Sequence, residues 1–250
     1  MDTDTELDLF NPIALHKAVR ASGSYNFEKC RIELTSQLRV EKCRELLRDY
    51  EDSDVADYVA FGWPINFTGS PPSQSDIRNH AGARNFAAYV DKYLKREVEL
   101  GRIAGPFAEA PFSPFYVSPL NTVPKADSLD RRVIVDLSWP IGSSVNDGID
   151  KEFYLGEVFE INFPTVDDIV SSILRCGKGC FIYKRDLKNA YRQFRVDPRD
   201  YKYLGYFWNG LFYFDTVLCM GQRTAGLACQ RTTRAVVYIH NANGHPCIVY

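Results

Sequence analysis

The sequence predicts a protein of the α+β class, in which helices and strands alternate irregularly along the chain. Amphipathic helical patterns occupy three ranges: 85–100, 165–176 and 222–240. Apolar runs of strand length lie between them, at 131–137 and 180–183. Two aromatic stretches flank Asn209-Gly210, a dipeptide that favours the type I′ turn of a β-hairpin.

The first 75 residues are expected to form a helical extension. Apolar side chains recur at helical spacing over 40–50 and predict one helix. Ser53-Asp54 can cap a second short helix that ends at Gly62. The stretch FTGSPPSQS at 67–75 is rich in turn-forming residues and predicts a linker.

Residues 76–155 combine one helix with extended segments. The helical pattern over 85–100 ends at Gly101, as expected for a glycine that terminates a helix. The proline-punctuated stretch 105–125 cannot be helical and favours short extended pieces. A strand is predicted at 131–137.

Residues 156–250 begin with the best-specified helix of the chain. Thr165 and Asp168 form a capping-box pattern at its start, and Gly177 follows its last turn. Its apolar stripe is predicted to face the core: Val166, Ile169, Val170, Ile173 and Leu174. Next, Cys180–Tyr183 is apolar without alternation, which predicts a strand buried on both faces.

The last part of the sequence predicts a hairpin over 203–217, a long helix over 222–240 and a further strand beginning at Cys247. No run approaches the roughly 18 apolar residues of a membrane span. The acidic start MDTDTELDLF resembles no secretory or transit peptide, so an intracellular protein is expected, with nucleus and cytoplasm undistinguished.

Charge is distributed unevenly. The whole chain carries −2, whereas residues 175–234 hold 12 Lys and Arg against 4 Asp, a net charge of +8. This asymmetry predicts that one segment holds a polyanion. A solvated basic face is the alternative.

Asp186 follows the apolar run at 180–183. An isolated Asp after a strand most often caps a helix or forms a turn. An Asp at the exit of a buried strand can also hold Mg²⁺ beside a triphosphate, because Mg²⁺ keeps few protein ligands and shares them with phosphates.

Three segments resemble reverse transcriptases. FIYKRDLKNAY (181–191) is similar to the first palm motif of the family, a hydrophobic strand, an Asp and an aromatic five residues later. LCMGQRTAGLACQ (218–230) is similar to the next motif, and VPKADSLDRRVIVDL (123–137) resembles the fingers strand pair. The string RRVIVDLSWPIGSSVNDGI (131–149) is most similar to the enzymes of DIRS-like, tyrosine-recombinase retroelements.

The resemblance covers roughly residues 78–250 and implies a right-hand polymerase fold. It implies fingers over 76–155 and a partial palm over 156–250, with motif segments at 180–196 and 218–240 after the extension 1–75. CIVY at 247–250 resembles the strand that leads into the Tyr-x-Asp-Asp hairpin of the family. The second catalytic carboxylates are not in this sequence.

The implied activity is template-directed DNA synthesis, in which a primer 3′-OH attacks the α-phosphate of a dNTP. The partners implied are an RNA or DNA template-primer and dNTPs, with Mg²⁺ or Mn²⁺ as the metal and no membrane. Because one Asp cannot position two metal ions, an incomplete and inactive fragment is expected. The alternative is a non-catalytic retroelement remnant that binds nucleic acid weakly; the sequence indicates no oligomeric state.

The resemblance also implies residue roles. Asp186 would bind the metal with its carboxylate and Leu187 with its backbone carbonyl. The dNTP would be held by Lys125, Arg132, Leu187, Tyr191, Met220 and Gly221, and nucleic acid by Arg223, Arg231 and Arg234. Cys219 and Cys229 depart from the usual Pro and Phe of the family. Tyr191 could instead be a core aromatic, and Lys125 and Arg132 solvated strand residues.

Overall fold

The computed structural model describes residues 39–72, 74, 77–126, 128–184 and 186–248, and within them the chain mixes helices with antiparallel strands. The helices are α1 (Val40–Leu46), α2 (Val55–Phe61), α3 (Ala81–Asn85), α4 (Ala87–Glu99), α5 (Val166–Cys176) and α6 (Ala225–Ala242). The strands are β1 (Ile103–Phe107), β2 (Leu120–Pro124), β3 (Arg131–Val135), β4 (Phe153–Tyr154), β5 (Glu157–Val158), β6 (Gly205–Trp208) and β7 (Leu211–Asp215).

The central sheet has the antiparallel order β1-β7-β6. The predicted hairpin is confirmed: Asn209 and Gly210 both have positive φ, of 49° and 81°, between paired β6 and β7. This is the backbone twist that a type I′ turn requires. Aromatic rings fill the core around the sheet, with Phe214 fully buried and stacked on Phe107 at 5.8 Å between ring centroids.

A second antiparallel hairpin pairs β2 with β3, in the register Val123↔Arg132 and Leu120↔Val135. The strand predicted at 131–137 is therefore confirmed over Arg131–Val135. Helix α3 packs on β2, where the Thr122 hydroxyl donates to the Gly82 carbonyl at 2.7 Å.

The helix predicted over 85–100 is confirmed as α4, and Phe86, whose backbone is non-helical, separates it from the unpredicted short helix α3. Helix α4 ends before Gly101, which has a φ of 63°. Val90 and Leu94 are buried as the apolar spacing indicated, and Glu97 is buried beside them. That buried carboxylate was not predicted, and it takes part in an ion-pair network described below.

The two predicted N-terminal helices are present as α1 and α2, whereas residues 1–38 lie outside the described residues. The Trp63 N–H donates to the Arg195 carbonyl at 2.8 Å, which ties the end of α2 to the body of the protein. The start of the predicted linker is also bound to the rest of the fold, because the N–H groups of Thr68 and Gly69 both donate to the Gly148 carbonyl.

Helix α5 is confirmed in its bounds and its cap. The Thr165 hydroxyl accepts from the Asp168 N–H, the Asp168 carboxylate accepts from the Thr165 N–H, and Gly177 ends the helix. The predicted core stripe is wrong, because no residue of α5 is buried and Leu174 is 75% exposed. Amphipathic spacing specifies an apolar face but not the surface that covers it.

The buried strand predicted at Cys180–Tyr183 is also wrong. The segment forms no strand, Phe181 is fully exposed, and Ile182 and Tyr183 are largely exposed. No described strand pairs with it, so its backbone has no ladder to join.

Helix α6 confirms the prediction over 222–240, beginning three residues later, with Ala225, Ala228 and Ala235 buried. Cys247 and Ile248 form no strand, and residues 249–250 lie outside the described residues. None of the described helices has the length and apolar character needed to cross a lipid bilayer.

Candidate functional site

The turn between β7 and α6 is held by one buried side chain, Asn146. Its amide nitrogen donates to the Gly221 carbonyl at 2.8 Å. Its amide oxygen accepts from the Arg223 N–H at 2.9 Å, and its own carbonyl accepts from the Arg223 guanidinium at 3.0 Å. The same amide nitrogen donates to the Ser138 hydroxyl. Asn146 therefore fixes the turn to the segment that follows β3.

Gly221 lies against the end of the β2–β3 hairpin. Its φ is 96°, and a side-chain carbon at this position would lie 3.7 Å from the Val135 carbonyl oxygen. Met220 beside it is 52% exposed. The turn is therefore exposed at the base of the hairpin.

Lys125 and Arg132 lie toward the other end of the hairpin. Arg132 is exposed on β3, opposite Val123. Three residues separate it from Val135, a distance of roughly 10 Å along a strand. Lys125 pairs with Asp130 across the hairpin tip, and its hydrogen bond lowers the pKa of the Asp130 carboxyl. The hairpin therefore carries both predicted cations, with Arg132 about 10 Å from Val135 along β3.

Tyr191 lies in the 3₁₀ turn Ala190–Gln193 and is partly buried against the core. The chain that follows is hydrogen bonded to the strand leading into the Gly221 turn. The Val196 N–H donates to the Thr216 carbonyl at 3.1 Å, and the Leu218 N–H donates to the Phe194 carbonyl at 2.9 Å. The segment of Tyr191 and the turn of Met220 and Gly221 are thereby brought together.

An ion-pair network lies beneath this junction, and sequence reasoning missed it. Arg192 donates to Asp215 and to Glu97, with 3.0 Å between its terminal nitrogen and the Glu97 oxygen. The Cys219 thiol donates to the second Asp215 oxygen at 3.1 Å. Burial raises the pKa of the Asp215 carboxyl, and Arg192 opposes that rise. Burial and the neighbouring carboxylate also raise the pKa of Cys219, so the thiol keeps its proton.

Asp186 and Leu187 are the two predicted metal ligands. Both are exposed in the irregular segment after α5, not at the exit of a buried strand as predicted. Within the described residues, no group of three or more His, Cys, Asp or Glu side chains could hold a metal ion. Mg²⁺ requires near-octahedral oxygen coordination, which Asp186 and the Leu187 carbonyl do not complete. By themselves, the described residues therefore do not complete a metal centre.

Arg231 was predicted to contact nucleic acid, but its side chain is only 4% exposed. Two of its nitrogens donate to the carboxylate of Asp52, each at 2.7 Å, and Glu157 lies 3.5 Å away. A guanidinium held this way cannot reach a phosphate without breaking its pair, so Arg231 is excluded from the interface. Arg223 and Arg234 remain partly exposed on the same part of the chain.

The arginines after Asp186 are likewise engaged internally. Arg192 joins the buried network, and Arg195 donates to the Gly101 carbonyl at 2.8 Å. Arg199 forms a forked pair with Asp197. Arg192 and Arg231 also pair with carboxylates from outside residues 175–234, Glu97 and Asp52, which spacing along the sequence does not reveal.

No protein-family model matches the sequence, and no curated protein matches it. Among solved structures, the native prototype foamy virus protease-reverse transcriptase is similar, with a TM-score of 0.44 and 16% identity over 81% of this chain and 27% of that one. A foamy viral protease-reverse transcriptase in complex with double-stranded DNA is similar with a TM-score of 0.43 and 16% identity, over 87% of this chain and 38% of that one. The chain therefore corresponds to well under half of the length of either protein.

Proposed function

We propose that this chain forms the fingers (76–155) and part of the palm (156–250) of a template-directed DNA polymerase of the reverse transcriptase class. One observation carries the proposal. Three segments that resemble polymerase motifs are far apart in the sequence, yet they meet around Gly221. Main-chain hydrogen bonds join 194–196 to 216–218, and Gly221 contacts both Asn146 and the end of β3.

The resemblance to reverse transcriptases supplies the residue roles in this proposal. Met220 and Gly221 would contact the base pair being formed, because a glycine there leaves room for a flat ligand. Tyr191 would lie beneath the sugar of the incoming dNTP. Lys125 and Arg132 would hold its phosphates, a point charge and a fork that suit that ligand. Asp186 would supply one Mg²⁺ ligand, together with the Leu187 carbonyl.

Nucleic acid would be held by the cations that the fold leaves exposed, among them Arg223 and Arg234 on the α6 side. Binding through a few phosphate contacts is sequence-independent and weak at physiological salt. Within the reverse transcriptase class, the string 131–149 favours the DIRS-like retroelements.

A mutational test of this interface uses fluorescence anisotropy of a labelled RNA–DNA template-primer titrated with KCl. Arg132→Glu and Arg234→Glu should each weaken binding and reduce the slope of log affinity against log salt by about 1, because each removes a phosphate contact. Lys95→Glu is the matched control, since it makes the same charge change on α4, outside the proposed interface. Unchanged slopes in both test variants would contradict the proposal.

A second candidate function is nucleic-acid binding without catalysis. The exposed position of Asp186, and the lack of a metal-binding cluster within the described residues, favour it. Such a chain would bind the template-primer through the same cations and leave the primer unextended.

A further inference from the structure

A cavity of about 420 Å³ lies between helix α4 and the central sheet, away from the Gly221 turn. Leu94 and Val98 line its helical wall, because residues four apart share one face of a helix. The hairpin of β6 and β7 supplies the opposite wall with Trp208, Leu211 and Tyr213. A volume of this size and a mainly apolar lining are typical of a small-molecule site.

One carboxylate in the lining is held in place by the hairpin. A single oxygen of Asp91 accepts from the Trp208 indole N–H at 2.7 Å and from the Asn209 amide at 3.3 Å. Burial raises the pKa of the Tyr213 phenol, and the Asp91 carboxylate adds to that rise. The cavity therefore combines a positioned carboxylate with two aromatic side chains, Trp208 and Tyr213.

The charges at the rim indicate the sign of the ligand. Asp91, Lys95 and Glu99 are the charged side chains of the lining, so two carboxylates against one ammonium give a net charge of −1. All three are exposed, and they follow one another at intervals of one helical turn. Lys95 and Glu99 are opposite in charge and offset each other, which leaves the charge of Asp91 for a ligand.

An organic cation complements this cavity in each of its parts. An ammonium group forms a charge-assisted hydrogen bond with a carboxylate and is attracted to nearby aromatic rings. An apolar body gains free energy when it leaves water for the walls of Leu94, Val98 and Leu211. Carboxylic acids and phosphates would meet a rim of their own sign.

We propose that this cavity binds a small organic amine, with the ammonium group at Asp91 and the apolar body between α4 and the β6–β7 hairpin. The cavity contains none of the residues assigned to the polymerase roles. The proposal is therefore independent of the polymerase proposal, and its tests contain no nucleic acid.

The first test compares two probes of nearly the same shape on the whole 250-residue chain. 2-Phenylethylamine is a cation at neutral pH, whereas 2-phenylethanol is uncharged. The readout is the NMR signal of the Trp208 indole N–H, which is identified among the three tryptophans by its loss in Trp208→Phe. The amine should shift this signal saturably, with a dissociation constant on the order of 1 mM. An unsaturable shift, or equal affinities for the amine and the alcohol, would overturn the proposal.

The second test changes the charges of the rim. Asp91→Asn keeps an acceptor for the Trp208 indole and should weaken amine binding roughly fivefold, while binding of the alcohol stays the same. A loss of folding would instead weaken both probes. Lys95→Gln removes a like charge from an exposed position of the helix and should strengthen amine binding severalfold. Asp167→Asn is the matched control, since Asp167 is exposed on α5 outside the cavity. An amine affinity that neither Asp91→Asn nor Lys95→Gln alters would contradict the proposal.

The last test separates a free amine from a lysine side chain of another protein, which carries the same ammonium group. Nα-acetyl-lysine amide should bind more weakly than 2-phenylethylamine, because a thin alkyl stem leaves the apolar walls partly unfilled. Equal or tighter binding of the lysine derivative would show that the cavity receives a lysine side chain, and it would overturn the assignment of a free amine.

Discussion

Asp200 is a partly buried carboxyl group whose oxygen accepts a hydrogen bond from the Ile65 N–H at 2.8 Å. Burial raises its pKa to about 7; the Ile65 hydrogen bond opposes the rise, and Asp197 adds to it. Arg199 and Lys202 also lie nearby and favour the ionised form. Asp200 therefore takes up a proton near neutral pH while it holds the chain after α2.

The raised pKa makes a prediction for stability. A carboxyl with a pKa near 7 in the folded state and about 3.9 in the unfolded state stabilises the fold fully at low pH. The free energy of unfolding therefore falls by roughly 2 kcal/mol as the pH rises from about 4 to about 7. The loss is smaller than for a fully buried carboxyl because part of Asp200 reaches solvent. Asp200→Asn keeps the acceptor without the charge and should flatten this part of the pH profile.

The measurement is the free energy of unfolding in urea at several pH values across that range. Asp54→Asn serves as the control, because Asp54 is exposed and its side chain makes no cap hydrogen bond. A parent profile with the same slope as Asp200→Asn would show that Asp200 does not titrate in this range.

At the scale of elements, the buried Arg192 network joins α4, a 3₁₀ turn, β7 and the turn before α6. Glu97, Asp215 and Cys219 meet at one guanidinium, and Asp215 is fully buried. A lone buried charge is far more costly than a paired one. The network therefore couples the segment of Tyr191 to the turn of Met220 and Gly221.

Arg192→Met should destabilise the protein by about 3–5 kcal/mol, because it leaves two buried carboxylates without their cation. Adding Asp215→Asn should recover part of this loss, with a coupling energy of about 1–3 kcal/mol in a double-mutant cycle. Unfolding in urea measures both quantities. Additive effects of the two substitutions would show that the pair does not interact in solution.

At the scale of the whole molecule, Mg²⁺-dependent primer extension distinguishes the two candidate functions. A non-catalytic binder should bind a template-primer yet extend no primer, because two-metal chemistry needs a carboxylate cluster that the described part of the chain does not form. Asp186→Asn should leave template-primer binding nearly unchanged. Extension by the parent that disappears in Asp186→Asn would instead show that the chain is a working polymerase with Asp186 in its metal site.

Local signals in the sequence determined several elements correctly. Thr165 and Asp168 predict the capping box of α5, Gly177 its end, and Asn209-Gly210 the β6–β7 hairpin. Each signal acts through backbone torsions and hydrogen bonds within a few residues, so the sequence contains all that is needed. Strand β3 and the long helix α6 were predictable for the same reason.

Only the tertiary structure decided which apolar segments are covered and which cations are free. The 180–183 run has the composition of a buried strand, yet it is exposed because no described strand pairs with it. Arg231 resembles a phosphate-binding residue by position, yet it pairs with Asp52, 179 residues earlier in the chain. Asn146 reaches 75 residues forward to Gly221. Burial and pairing depend on partners distant in sequence, whereas helix caps and turns depend on neighbours, and this is why the elements could be predicted and much of the site could not.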